Sequence, residues 1–400
     1  MTGTEQRIPA ARVKGVRIEG ADGDLTVTWS AREDILIQGE AIDVTQHGHH
    51  VEIAWSPLVA SRPITSILGI GTGKLVEIDL PLTLREAEIS LRTGDMRLTA
   101  PRGDVRVRLD RGDLDVTEGA GELEAKVGDG TIRVERFRGP VAIHSGAGDV
   151  KLERVDGKVA VQSGAGDVIL RGGSGAVGLK LGVGDAVIDE RQSDRLTVRL
   201  GSGDVIIRGG ASAETSVQNG LGDITCRATL GLGQHDFTAG SGDIVVGVPR
   251  DLPARIEVVT ARGDVSTDLP LVSVGKRGPR SVLGRRLVGS VGEGKERAEL
   301  RVRTVRGDVD LRWLAATGEA PAAEPAHAAS PAPPEPAGDA AIPLGPPLAD
   351  AWQARESEER AILTELAAGR LTVAEAELLL DALARRHPGR GPVETGADMP

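Results

Sequence analysis

The chain has 400 residues, 54 of them Gly, with 4 Trp, 2 Phe and no Tyr. Hydrophobic residues make up 40% and aromatics 2%. This excludes the thick, ring-filled core of a large globular enzyme, because a buried ring supplies about 150–250 Å². A net charge of −11 argues against a nucleic-acid or anionic-membrane binder, and a single Cys excludes a disulfide framework or a Cys-based metal cluster.

The N-terminal residues carry no apolar signal-type segment, and no apolar run reaches the ~18 residues of a membrane helix. The expectation is therefore a cytoplasmic chain with no membrane span and no nucleic-acid partner. Residues 1–92 alternate in short, irregularly spaced runs, such as Val16/Ile18, Leu25/Val27/Trp29, Val51/Ile53/Trp55 and Val76/Ile78/Leu80. They read as an N-terminal β cap that closes the end of whatever follows.

From residue 93 the dipeptide Gly-Asp followed by an aliphatic residue recurs down the chain, first at Gly94-Asp95-Met96 and last at Gly307-Asp308-Val309. From Asp149 to Asp264 the step is 18 to 21 residues. The first and third positions after each Asp are apolar, as in Val150/Leu152, Val168/Leu170 and Val205/Ile207, which is the period of a strand. A second strand lies halfway along each unit, at Val159/Val161, Val177/Leu179 and Leu196/Val198. The fold class is therefore mainly β: a repeat β-solenoid over 93–314, β-helix-like, of about 19 residues per coil, with β caps. A meander of hairpins fits the same period; recurrence of equivalent turns favours the solenoid. Gly supplies the positive φ of the corner, and the Asp that follows accepts a backbone N–H there.

Beyond Asp264 the rhythm breaks. Lys276, Arg277, Arg280, Arg285 and Arg286 read as a basic loop, and Ala298–Trp313 as a C-terminal cap bearing the last Gly-Asp unit. Residues 315–348 are an Ala/Pro-rich linker. Residues 349–388 read as a helical hairpin, with 389–400 as a disordered tail. The first helix carries Ile362 and Leu366 and ends near Gly369; the second opens at the Thr372–Glu375 capping box and carries Leu379, Leu380 and Leu383. Two helices this short need a partner surface, so these five residues are the candidates for binding a partner protein or a second copy.

The segment VEIDLPLTLREAEISLRTGDMRL and the SGAGDV-type turns after it resemble the bacterial putative-adhesin family of β-strand-repeat proteins, a domain of unknown function, over roughly residues 10–314. The segment ERAILTELAAGRLTVAEAELLLDALA is similar to the SHOCT-like helical module. The resemblance implies a right-handed solenoid and a role in surface interaction or envelope stress, and it implies no catalytic residues.

Stacked Asp149, Asp167, Asp185, Asp204, Asp223 and Asp243 would repel one another unless backbone donors or a hard cation such as Ca²⁺ offset the charge. Capping of the turns is the preferred role, because Asp directly after Gly is out of register with calcium-roll repeats. The Arg-Gly-Asp tripeptides at Arg102, Arg111, Arg262 and Arg306 follow from the repeat plus a common Arg. His47, His49 and His50 form a solvated turn rather than a metal site. Gly69–Lys74 lacks the spacing of a phosphate loop. Cys226 falls on an inward ladder position, as an inert thiol. No cofactor is expected. The whole reads as a non-catalytic binding or scaffold protein. The alternatives are a polysaccharide-acting solenoid enzyme and a bactofilin-like polymer.

Overall fold

The computed structural model describes residues 4–40, 42–55, 75–274 and 285–314. All of them lie within the unit Met1–Ala322. The expected linker, hairpin and tail, including Ile362, Leu366, Leu379, Leu380 and Leu383, fall outside the described residues, as do Gly69–Lys74 and Lys276, Arg277 and Arg280.

The described residues are strands and turns in a parallel stack. Val141–Ala147 pairs in parallel with Val159–Ala165, which pairs with Val177–Val183, then with Gln192–Ser202. Behind this first stack runs a second, in which Val150–Asp156, Val168–Arg171 and Ala186–Asp189 pair in the same way. Parallel neighbours exclude the meander. Registers such as Val141↔Val159 and Val177↔Leu196 place like residues directly over one another. Alternate residues of both stacks point inward and are buried, so the core is a set of aliphatic ladders, including Ile132, Val150, Val168, Ala186 and Val205. Such ladders sit about 4.8 Å apart, the ordinary strand spacing.

The slim core still takes rings. Phe137 and Phe237 are both fully buried. A Cβ on Gly119 would lie 2.3 Å from the Phe137 ring, so the ring occupies space that the adjoining coil leaves by having no side chain. Trp55 occupies the space over Gly20 in the same manner, and its indole N–H donates to the Asp22 carbonyl at 3.2 Å.

At both ends, spatial order departs from chain order. Gly15–Asp22 lies between His50–Trp55 and Glu86–Thr93, and Asp24–Ser30 lies between Leu75–Pro81 and Met96–Thr99, all in parallel. Regular stacking thus begins near residue 15, and Gly23-Asp24 is a turn of the same kind as those further on. At the other end, Val309–Trp313 sits between Ile244–Val248 and Val265–Thr267. The last Gly-Asp unit, expected as a terminal cap, is instead inserted one coil inside the end. Antiparallel strands cover both outer coils: Ile42–His47 and Asp34–Gly39 at one end, Arg285–Val291 at the other. Arg285 and Arg286, expected in a basic loop, open this last strand and pair with Asp264 at 2.8 Å and Glu257 at 2.9 Å. Two of the outermost strands are poor templates for further pairing: Thr4–Pro9 is charged and ends in Pro, and Val272–Ser273 has two residues.

Candidate functional site

The Gly-Asp corner is the most regular feature of the surface. Gly166 has φ +114°, and a Cβ there would lie 2.4 Å from the Gly148 carbonyl oxygen, so both backbone conformation and space require glycine. The Asp that follows reaches along the stack. Asp149 Oδ1 accepts the N–H of Asp167 at 3.1 Å, Asp167 that of Asp185 at 2.8 Å, and Asp185 that of Asp204 at 2.8 Å. Asp204 and Asp223 continue to Asp223 and Asp243 at 2.8 and 2.7 Å. Each carboxylate thereby satisfies a turn donor that the parallel pairing leaves free, and the N–H dipoles offset repulsion along the column.

The column is longer than the six residues singled out from sequence. Asp24, Asp95 and Asp113 precede them, and beyond Asp243 come Asp308 and then Asp264, not Asp264 directly. Thr131 holds the one coil between Asp113 and Asp149 and receives the Asp113 carboxylate. Among the described residues no three His, Cys, Asp or Glu side chains gather as a metal-holding group.

The other sequence candidates are placed as follows. His47 and His50 face each other across the Gly48 turn, and the His49 ring nitrogen bonds the Arg12 carbonyl at 2.7 Å. Arg102-Gly103-Asp104 lies within the strand Arg102–Arg111, and its Arg donates to the Glu118 carbonyl at 3.0 Å. The Asp residues of the tripeptides at Arg111 and Arg306 are members of the capping column. Cys226 is buried, and burial pushes its thiol up to about 11.

Arg191 was not singled out from sequence, although it is 3% exposed. Its guanidinium donates to the carbonyls of Val155 (2.6 Å), Gly157 (2.9 Å), Gly172 (3.1 Å) and Ser174 (2.6 Å). It plugs the corner opposite the Asp column, where four turn carbonyls converge, and burial lowers its pKa to about 10. A charged residue in register with Val155 and Phe137, both core residues, was the available signal.

The outward rows differ between the stacks. On the first stack the seven-coil row from Gly128 to Gly240 is glycine throughout, beside polar chains such as His144, Gln162, Lys180 and Arg199. On the second stack one row runs Ile169, Val187, Ile206, Thr225, Val245, all half-buried.

Residues 140–312 match the family described as Toastrack DUF4097. The Toastrack match covers the capping column from Asp149 to Asp308, the row from Ile169 to Val245, and the glycine row from Gly146 onward. No curated protein matches. Among solved structures, a putative cell adhesion protein from Clostridium sporogenes is 10% identical, with 78% of this chain and 99% of that one covered and a TM-score of 0.17. A putative adhesin from Bacteroides fragilis is 12% identical, covering 77% and 96%, with a TM-score of 0.24. A putative lipid binding protein from Parabacteroides distasonis is 10% identical, covering 78% and 96%, with a TM-score of 0.26. Among the described residues no helix is long and apolar enough to cross a membrane.

Proposed function

We propose that this protein is a non-catalytic binding or scaffold protein. Its β-solenoid presents extended rows of side chains, and its C-terminal region, read as a SHOCT-like hairpin, engages a partner protein or a second copy. The observation that supports this reading is the registered stack itself. Outward rows set side chains at one strand spacing along many coils, uniformly in the glycine row from Gly128 to Gly240, and such rows suit extended contact rather than a single reaction centre. An adhesin-like or envelope-stress role is the form that the family resemblance gives to it.

The test compares the full chain with a chain ending at residue 348. Tagged versions of each are used to capture partners from native cells, and their masses are measured in solution. Loss of a captured partner or of self-association on deletion supports the reading. Unchanged capture together with unchanged mass overturns it.

A further inference from the structure

The outward row Ile169, Val187, Ile206, Thr225, Val245 stands out because its neighbours in the same register are charged or polar. Before Ile169 the row reads Arg97, Asp115, Arg133, Lys151, and after Val245 it reads Asp310, Ser266. The stretch, four aliphatic residues and Thr225, is therefore confined to five successive coils and bounded by charged or polar residues at both ends, as docking patches are. Two rows flank it. Along one side runs the capping column, here Asp167, Asp185, Asp204, Asp223 and Asp243. Along the other run Arg171, Asp189, Arg208 and Arg227, of which the three Arg are exposed and Arg171 also lies 3.7 Å from Asp189.

The acidic column and the Arg row are four residues apart along each strand, or about 13 Å, too far to pair within a chain. They are arranged to pair between chains. When two such faces meet about a two-fold axis parallel to the stacking direction, left and right exchange while the coils stay aligned. Arg171, Arg208 and Arg227 then oppose Asp167, Asp204 and Asp223 of the second copy, Asp189 meets Asp185 as the one unfavourable pair, and each residue of the central stripe opposes its own copy. An axis along the strands would instead set Arg on Arg. Among symmetric arrangements, charge complementarity selects the first.

We infer that the second stack's face over residues 167–245 is a self-association surface, occupied by the same face of a second copy with parallel stacking axes. At a strand spacing of about 4.8 Å and a rise of about 3.3 Å per residue, the stripe with its flanks covers roughly 24 Å by 14 Å, on the order of 300 Å². A standard interface takes about 800 Å² from each partner, so the dimer is weak and dependent on concentration. This surface is distinct from the C-terminal segment proposed above, and the two are separable.

The full chain is measured by sedimentation over a concentration series, and Ile206→Cys and Gln218→Cys variants are treated with a short bismaleimide crosslinker. Cys226 is buried and contributes no background. Facing sheets pack about 10 Å apart, a gap that such a linker spans. Expected are a rising mass with concentration, a crosslinked dimer through Cys at position 206, and none through Cys at position 218 on the exposed face of the first stack. Val187→Lys with Ile206→Lys, checked for unchanged melting, weakens association at least tenfold, and raised salt weakens the unsubstituted chain. Monomer at every concentration overturns the inference. So does a 206 variant that crosslinks no better than the 218 variant, or association that survives both lysines with the crosslink absent.

Discussion

The two corners of each coil solve one problem in different ways. At the Gly-Asp corner, the coils use the same residues, save Thr131 in one: Gly148, Gly166 and Gly184 have φ of +111°, +114° and +130°, and an Asp caps the next turn. At the opposite corner the inward position changes from coil to coil, through Pro101, Gly119, Phe137, Val155, Gly173 and Arg191. There a large side chain occupies the space left by a glycine in the adjoining coil: Phe137 over Gly119, and Arg191 over Gly173, where an added Cβ would lie 2.8 Å from its guanidinium. One corner repeats a glycine and a local bond; the other repeats glycine too, through Gly103, Gly121, Gly139, Gly157 and Gly175, but fills its inward position by complementary packing between neighbours.

The sharpest test of the first corner is Gly166→Ala. The new Cβ meets the Gly148 carbonyl at 2.4 Å in a left-handed conformation, so a loss of at least ~4 kcal/mol is expected. That approaches the whole stability of an ordinary domain. Gly178→Ala is its control, because nothing lies within 4 Å of an added Cβ and its φ is not positive. Its effect stays within about 0.5 kcal/mol or is stabilising. Denaturant melts of the two variants decide, and equal losses would remove the distinction between a required glycine and a tolerated one.

At the packed corner, Phe137→Ala is expected to cost about 3–5 kcal/mol, because a fully buried ring leaves a cavity. Gly119→Ala clashes with the same ring, and combining it with Phe137→Leu should recover part of the loss. Strict additivity of the two changes would mean that the pair is not coupled. Arg191→Met follows, at about 3 kcal/mol, since it removes the guanidinium's bonds to the carbonyls of Val155, Gly157, Gly172 and Ser174, of which Val155 and Ser174 keep one backbone donor each. Lys in its place restores little, because one ammonium cannot reproduce the planar fork. A Lys variant as stable as the parent would show that charge alone, not the fork, holds the corner.

The contrast also explains what the sequence disclosed. The Gly-Asp corner is legible because its cause is local: the residues that need a positive φ and a cap are adjacent and identical in each coil. Inward alternation was legible for the same reason. The packed corner was not, because Phe137 has meaning only beside Gly119, 18 positions earlier. Nor were the ends, where Asp308 stacks between Asp243 and Asp264 and Gly23-Asp24 joins the column 71 residues before Asp95. Local pattern marks a coil but carries nothing about which coil is its neighbour. A further column escaped notice, in which Glu118, Arg136, Arg154 and Glu190 take φ of 52° to 58°. Its signal was the glycine at 172 and again at 209, in register with these four charged residues.

The smallest effects concern the cap itself. Asp185→Ala frees the Asp204 N–H at a half-exposed turn, and about 1 kcal/mol is expected, the net worth of one hydrogen bond. Asp185→Asn keeps an acceptor and loses less than half of that. The natural gap in the column offers the reverse change. Thr131 receives the Asp113 carboxylate but offers none to Asp149, so Thr131→Asp completes the ladder. A new bond worth about 1 kcal/mol is partly offset by repulsion from Asp113 and Asp149, and a gain of about 0.5 kcal/mol is expected. Capping and charge are separated by salt: screening weakens the repulsion but leaves the short N–H bond, so the gain should grow as ionic strength rises. A Thr131→Asp chain less stable than its parent at high salt would mean that the column is held by its glycines alone, with the aspartates as passengers.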